Sequence, residues 1–226
     1  MHRFASLAIA SLIALAACGG AAAPSAQPSL TSTPTVAAAT ATATPSAFSG
    51  LRIEASAGKS TATVKVREQL ADLKAPSDAI LTTTSVSGQI LLRSDGTFAE
   101  GSKIVVDVTT LASDRSQRDQ FIKRSTLETS KYPSATFVLK RAEGLPAPLP
   151  ASGEWAVKLV GDMMIHGVTK EITWDATIKR AAGGVTGKAT TSFRFGDFGM
   201  QVPSVFTVLS IVDSINLQLD FVGTAA

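Results

Sequence analysis

Apolar and polar side chains alternate along most of the chain after residue 60, and the alternation is longest on either side of Gly167. Before this glycine, every second residue from Trp155 to Ile165 belongs to the apolar set, and after it the same holds from Ile172 to Ile178. A period of two is typical of β-strands with one buried face. Because Gly167 can adopt a positive φ at no steric cost, residues 166–170 are predicted to form the turn of a β-hairpin.

The same period predicts six further strands. Residues 94–96, Ser-Asp-Gly, are typical of a hairpin turn, whereas residues 68–80, which contain Pro76, are interpreted as a connection. Together with the central hairpin, these strands predict an all-β fold, an antiparallel barrel of about eight strands, and their length disfavours the alternative, a β-sandwich. The six strands are predicted around residues 62–66, 86–92, 104–108, 135–139, 185–195 and 211–221.

One segment breaks the alternation. Residues 113–124 are predicted to form a short helix, the only one in the domain, between the third and fourth strands. Ser113 or Asp114 is predicted to cap its start, with Phe121 and Ile122 facing the core.

The beginning of the chain has the features of a secretory signal. Arg3 precedes a short apolar run, and residues 15–18 read Leu-Ala-Ala-Cys, which resembles a bacterial lipobox. Processing would remove residues 1–17 and leave an acylated Cys18 as the new terminus. The alternative is an ordinary signal peptide with an incidental cysteine. Because Cys18 is the only cysteine, the mature chain cannot form an internal disulfide.

Residues 19–50 contain no charged side chain and consist mostly of Ala, Thr, Ser and Pro. Such a segment lacks the large apolar side chains that offset the entropy of ordering, so we predict that residues 18–50 are a disordered tether. Residues 51–224 are then predicted to form one folded domain.

The charge composition argues against a polyanionic partner. The chain has 21 Lys and Arg against 18 Asp and Glu, and loss of Arg3 with the signal leaves a net charge of about +2. The cations are dispersed, so no nucleic-acid partner is expected.

Few residues are candidates for chemistry. His166 is the only histidine after the signal, and with no second thiolate a metal site is not expected. Asp197 and Asp213 are considered as a carboxylate pair for acid–base catalysis, but no motif supports such a pair. We therefore predict no catalysis and no cofactor.

Apolar residues on the predicted inner faces are candidates for a ligand-binding lumen, although spacing alone does not distinguish a lined lumen from a filled core. Arg118, on the helix, offers a cation to a ligand headgroup. The alternative, which we favour, is that Arg118 and Asp119 fix the helix to the barrel. The candidate lumen residues are Phe137, Trp155, Met163, Ile165, Trp174, Phe193, Phe195, Leu217, Leu219 and Phe221.

Three motifs, in order, resemble those of the YceI-like polyisoprenoid-binding family. Residues 161–170 (GDMMIHGVTK) resemble its Gly-x-Leu-x-Ile-x-Gly-Val-Thr-Lys signature, and Arg118-Asp119 followed by residues 132–137 (YPSATF) resembles a second motif. Residues 194–200 (RFGDFGM) resemble a third, with one extra glycine. The match is weaker over the first strand and residues 68–84. The resemblance implies a lipocalin-like barrel, an extracytoplasmic location and a long isoprenoid chain in the lumen.

These observations together lead to a functional expectation. We expect a protein lipid-anchored to a bacterial membrane, facing the periplasm or the cell exterior, that binds a polyisoprenoid or quinone-like lipid. Its expected partners are this isoprenoid-type lipid, the membrane through acylated Cys18, and a second copy of the chain in a homodimer. The alternative is a barrel packed solid that serves as an envelope interaction or stress-related module without a lipid ligand.

Overall fold

The computed structural model describes residues 48–225. Besides the strands it contains four short helical segments: 3₁₀-helices at Val108–Thr110 and Phe195–Phe198, the α-helix α1 at Ser116–Phe121, and a π-helical turn at Ile122–Thr126. The ten strands are β1 (Leu51–Ala55), β2 (Thr61–Leu70), β3 (Ser77–Thr83), β4 (Val86–Leu92), β5 (Lys103–Asp107), β6 (Ser134–Glu143), β7 (Gly153–Ile165), β8 (Val168–Ala181), β9 (Gly184–Phe193) and β10 (Val208–Ala225).

Eight of these strands form a closed antiparallel barrel. They follow the order β1-β4-β5-β6-β7-β8-β9-β10, and the ring closes where β1 pairs with β10, with Ile53 opposite Ala225. The helix α1 lies between β5 and β6, which are the third and fourth strands of the sequence-based prediction. The predicted all-β barrel with one short helix is confirmed.

The remaining two strands form a hairpin beside β10. One edge of β10 pairs with β9, and its other edge pairs first with β2, from Val208 to Asp220, and then with β1. A bridge between Thr82 and Ala112 ties β3 to the segment that follows β5. The β2–β3 hairpin therefore continues the barrel wall along the part of β10 that β1 does not reach.

Two strands were missing from the sequence-based prediction. β1 is only five residues long and follows directly on the Ala/Thr/Ser-rich segment, so it shows too few alternations to stand out. The interpretation of residues 68–80 as a connection is wrong, because β2 continues to Leu70 and β3 begins at Ser77. In β3 the exposed Ile80 and the buried Thr83 reverse the expected polarity and obscure the period.

The β7–β8 hairpin forms as predicted, with a shorter turn. Ile165 pairs with Val168, so only His166 and Gly167 lie in the turn, and the predicted turn over residues 166–170 is too long. Both turn residues have positive φ, 52° and 75°, which matches the right-handed twist of the flanking strands. A Cβ at Gly167 would lie 2.6 Å from the Tyr132 ring, so packing as well as φ requires glycine there.

The helix is shorter than predicted, and its predicted cap is wrong. The α-helical turns begin at Ser116, and Arg115 is the N-cap residue without a side-chain hydrogen bond. Ser113 instead donates its backbone N–H and its hydroxyl to the Asp119 carboxylate, at 3.0 and 2.6 Å. Asp114 pairs with Arg118. Phe121 and Ile122 are half-buried and face the barrel interior.

Candidate functional site

A large cavity lies inside the barrel. Its volume is about 860 Å³, and inward-facing side chains from β1 to β10 and from α1 line it. Most of this lining is apolar, because strand alternation places one side chain in two on the inner face. The strand pattern left open whether the interior was a lumen or a filled core, and the structure contains a lumen. This volume lies within the range of small-molecule binding pockets.

Nine of the ten candidate lumen residues lie on the cavity wall. Trp155 is the exception: it stands near the start of β7, where its indole folds back over the Gly153 backbone. Whether the others contact a ligand stays a prediction. The nine are Phe137, Met163, Ile165, Trp174, Phe193, Phe195, Leu217, Leu219 and Phe221.

Trp174 is the most polar of these nine side chains. It is 8% exposed, its ring meets the Phe137 ring edge-on at 6.0 Å between centroids, and its indole Nε1 has no hydrogen-bond partner among residues 48–225. A buried donor without an acceptor costs free energy. A guest with an oxygen within reach of this N–H would recover that hydrogen bond.

Three charged side chains meet at the mouth of the cavity, where α1 faces β2. The Arg118 guanidinium donates to Glu68 and to Asp114, at 2.6 Å each. The side chains of Arg118 and Glu68 are 13% and 6% exposed, so this ion pair is largely buried, whereas Asp114 is exposed. Two carboxylates balance the positive charge of this guanidinium, which weakens its attraction for an anionic headgroup. The arrangement agrees with a role for Arg118 in fixing α1 to the barrel.

Sequence reasoning missed Glu68, although a signal was present. Glu68 follows Val64 and Val66 at every second position of β2, so its side chain is on the same, inward-facing side of the strand. A carboxylate on that side must either be paired with a cation or reach solvent. Its partner, Arg118, lies 50 positions further along the chain. Interpreting residues 68–80 as a connection removed Glu68 from the inner face and concealed this signal.

The two aspartates considered for catalysis, Asp197 and Asp213, instead bind backbone N–H groups at the connection between β9 and β10. Asp197 accepts the Arg194 backbone N–H at 2.8 Å and pairs with Lys170 at 3.0 Å, and these contacts, the backbone one first, lower its pKa. Asp213 accepts the Phe195 backbone N–H at 3.0 Å. Each carboxylate thus holds the Phe195–Phe198 helix in place.

His166 stands apart from the cavity. Its Nδ1 lies 3.3 Å from the Phe198 carbonyl oxygen, and its ring meets Tyr132 edge-on at 4.8 Å.

In residues 48–225, no three His, Cys, Asp or Glu side chains converge as metal ligands. Over the same residues, no helix combines the length and apolar character needed to cross a bilayer. Cys18, the signal and most of the predicted tether lie outside the described residues.

Residues 40–223 match the family model of the YceI-like domain. A UPF0312 protein of Pseudomonas putida strain W619 is 36% identical over 118 residues. That match includes 48% of this chain and 58% of the relative's length, so this chain spans less than two thirds of that relative.

Two solved structures share the fold. A polyisoprenoid binding domain from Saccharophagus degradans, implicated in plant cell wall breakdown, aligns over 78% of this chain and 99% of its own, with a TM-score of 0.60 at 14% identity. BcnA of Burkholderia cenocepacia aligns over 74% of this chain and 98% of its own, with a TM-score of 0.55 at 16% identity. At these identities the likeness concerns the fold.

Proposed function

This chain belongs to the YceI-like domain family, and from that premise we propose that it binds a polyisoprenoid or a similar long-chain amphiphile inside its barrel and performs no catalysis. The single observation that carries the proposal is the apolar cavity of about 860 Å³. The structural neighbour from Saccharophagus degradans, described as a polyisoprenoid binding domain, supports the choice of ligand class.

The size of the cavity indicates the length of chain it can hold. A water molecule in the liquid occupies about 30 Å³, and we take the same volume for each CH₂-sized group. The cavity of about 860 Å³ then accommodates roughly 25 to 30 such groups. Each buried CH₂ contributes roughly 0.8 kcal/mol, so a prenyl chain is held tightly without many polar contacts. A longer chain would extend through the mouth.

The mouth favours an uncharged headgroup. Glu68 and Asp114 already neutralise Arg118, and the neighbouring Arg115 lies 3.9 Å from both Asp72 and Asp114. A diphosphate would therefore compete with carboxylates for guanidinium groups that are already paired, whereas a hydroxyl or quinone oxygen needs only a hydrogen-bond donor. We propose a prenyl alcohol, phenol or quinone rather than a prenyl diphosphate.

The proposal extends to location. The lipobox-like residues 15–18 support acylation of Cys18, and the apolar run before them supports export. The barrel would then be lipid-anchored and would face the periplasm or the cell exterior. Two or more acyl chains anchor a protein stably, whereas one binds only marginally.

Lipid extraction from the full chain, purified from its own membrane in mild detergent, tests the ligand. We expect mass spectrometry to find about one prenyl-chain lipid per barrel. After the lipid is removed, we expect the protein to rebind a prenyl alcohol with higher affinity than the matching prenyl diphosphate. Protein that carries no lipid and binds neither probe would contradict the proposal. Preference for the diphosphate would contradict the headgroup assignment alone.

A further inference from the structure

Exposed apolar side chains collect at one end of the barrel, around the cavity mouth. Eight large apolar side chains are exposed in residues 48–225, and four of them lie in the β2–β3 turn, in residues 201–207, or at the start of β10. Phe206 is fully exposed and Leu209 is 67% exposed. We call these four the mouth rim: Leu73, Val202, Phe206 and Leu209.

The mouth rim is continuous with the cavity wall. Within residues 201–208, Pro203, Val205 and Val208 are half-buried and line the cavity, whereas Val202 and Phe206 are exposed. The neighbouring β2–β3 turn is joined to this segment by the Ala71 N–H, which donates to the Thr207 carbonyl at 3.0 Å. An apolar path therefore leads from the outer surface into the lumen.

Charges around the rim are balanced. Arg115, beside the mouth, lies 3.9 Å from both Asp72 and Asp114. Lys74, next to Leu73, has no ion-pair partner within the described residues. Exposed apolar side chains surrounded by nearly compensated charge suit the surface of a lipid bilayer, including an uncharged one, because the apolar groups can insert while the charges stay among the headgroups.

The length of chain before the barrel permits such a contact. About 30 residues separate Cys18 from Phe48, which at roughly 3.4 Å per residue corresponds to a reach of up to about 100 Å. β10, the longest strand with 18 residues, is about 60 Å long when fully extended. An anchored barrel can therefore turn its mouth towards the membrane that holds it.

We propose that the mouth rim is a membrane-docking surface that inserts Phe206 and Leu209 into a lipid bilayer, so that the ligand passes between bilayer and lumen without crossing water. This inference rests on the proposed function for its ligand and its anchor. The membrane contact itself depends only on the mouth rim, so an experiment can contradict docking without contradicting ligand binding, and the reverse.

Vesicle binding tests the contact with the chain that lacks the signal, residues 1–17, and carries Cys18→Ala, so that neither the signal nor an acyl anchor is present. Phe206→Trp places a fluorophore at the rim, and Val138→Trp places one at an exposed apolar position on the outer face of β6 as the matched control. Vesicles of brominated phosphatidylcholine should quench the first tryptophan and not the second. Equal quenching, or none at Phe206→Trp, would overturn the proposal.

Partitioning and transfer give a second measurement. Phe206→Ser combined with Leu209→Ser should reduce partitioning onto phosphatidylcholine vesicles by at least about tenfold, because each side chain loses the transfer energy of an apolar group. The same pair should slow loading of a fluorescent prenyl alcohol from vesicles, with loading from detergent unchanged. Val138→Ser should alter neither.

The outcomes separate the two proposals. If the unanchored Cys18→Ala parent holds prenyl lipid but the serine variants partition and load as this parent does, docking is overturned and ligand binding stands. If no prenyl lipid binds while quenching at position 206 persists, docking stands and the proposed ligand is wrong. A dimer in light scattering that dissociates in the serine variants, without vesicle binding by the unanchored Cys18→Ala parent, would assign the rim to a second copy and overturn membrane docking.

Discussion

Glu128 and His166 face each other across the outside of the barrel, with Oε1 of the glutamate 3.7 Å from Nε2 of the histidine. They are the two non-glycine residues with positive φ in the described chain, at 45° and 52°. The pair joins the turn after the π-helical segment to the β7–β8 turn. The two positive-φ positions thus lie side by side where the helical excursion meets the central hairpin.

The φ of His166 leads to a first prediction. His166→Val, which places a β-branched side chain at positive φ, should destabilise the barrel by about 1–3 kcal/mol, whereas His166→Asn should cost less because Asn tolerates this region. Urea unfolding measures both. Thr190→Val, on the exposed face of β9, is the control and should have little effect. Equal costs for Val and Asn would show that ring contacts, and not φ, determine the residue.

The buried ion pair leads to a second prediction. Arg118→Met leaves the Glu68 carboxylate buried without its partner and should cost about 3–5 kcal/mol of unfolding free energy. The double variant Glu68→Leu with Arg118→Met should recover to within about 1 kcal/mol of wild type, because it leaves no buried charge unpaired. The exposed pair of Arg52 and Glu54, 3.5 Å apart, is the matched control, and Arg52→Met should cost at most about 1 kcal/mol. A double variant as unstable as the single one would contradict the interpretation.

The lumen leads to a third prediction. Leu217 lines the cavity and Asn216, its neighbour on β10, is exposed on the opposite face. Leu217→Trp should reduce the prenyl lipid bound per barrel with the fold kept, whereas Asn216→Trp should not, since adjacent residues of a strand face opposite sides. Bound lipid and melting temperature are measured together. If Leu217→Trp leaves the lipid unchanged and costs about 1–3 kcal/mol of stability, residue 217 is part of a packed core instead.

The turn carboxylate leads to a fourth prediction, about pH. The Arg194 backbone N–H and the Lys170 ammonium lower the pKa of Asp197 below its ordinary value of 3.8. A lowered pKa means that the carboxylate stabilises the fold above the ordinary value and loses this contribution as pH falls through the folded-state value. Asp197→Asn should therefore melt below wild type at pH 7, and the gap should narrow below about pH 4. A gap that is constant from pH 7 to pH 3 would assign the effect to something other than ionisation.

Long alternation made the central part of this fold predictable. From Trp155 to Ile178 the inward set recurs at every second position, and the hairpin forms in that register. Short β1 gave too few periods, and β3 was obscured by Ile80, whose exposure at the barrel surface no local pattern indicates. The local sequence therefore indicates which face a residue is on only where the strand is long enough for the apolar–polar pattern to repeat several times.

The site was predictable in its apolar part and not in its polar part. The cavity-lining residues on β9 and β10 follow from alternation. The prediction for Trp155 is wrong because this residue lies near the end of a strand, where its indole folds over Gly153. The contact between Glu68 and Arg118 joins β2 to α1 across 50 positions. The position of α1 on the barrel is a tertiary property, so neither partner alone revealed the pair.

The pairing of β10 with both β1 and β2 also determines the order in which the molecule can be completed. Ile53 meets Ala225 across 172 positions of sequence, and the ring has no other closure in the described residues. A nascent chain that ends at β9 can form the successive hairpins from β6 to β9, but β1, β2 and β9 each lack the strand that joins them. Until β10 is synthesised, the free edges of these three strands and the inner apolar face are open to any neighbouring chain, so synthesis of β10 ends the period in which the nascent protein is most prone to aggregate.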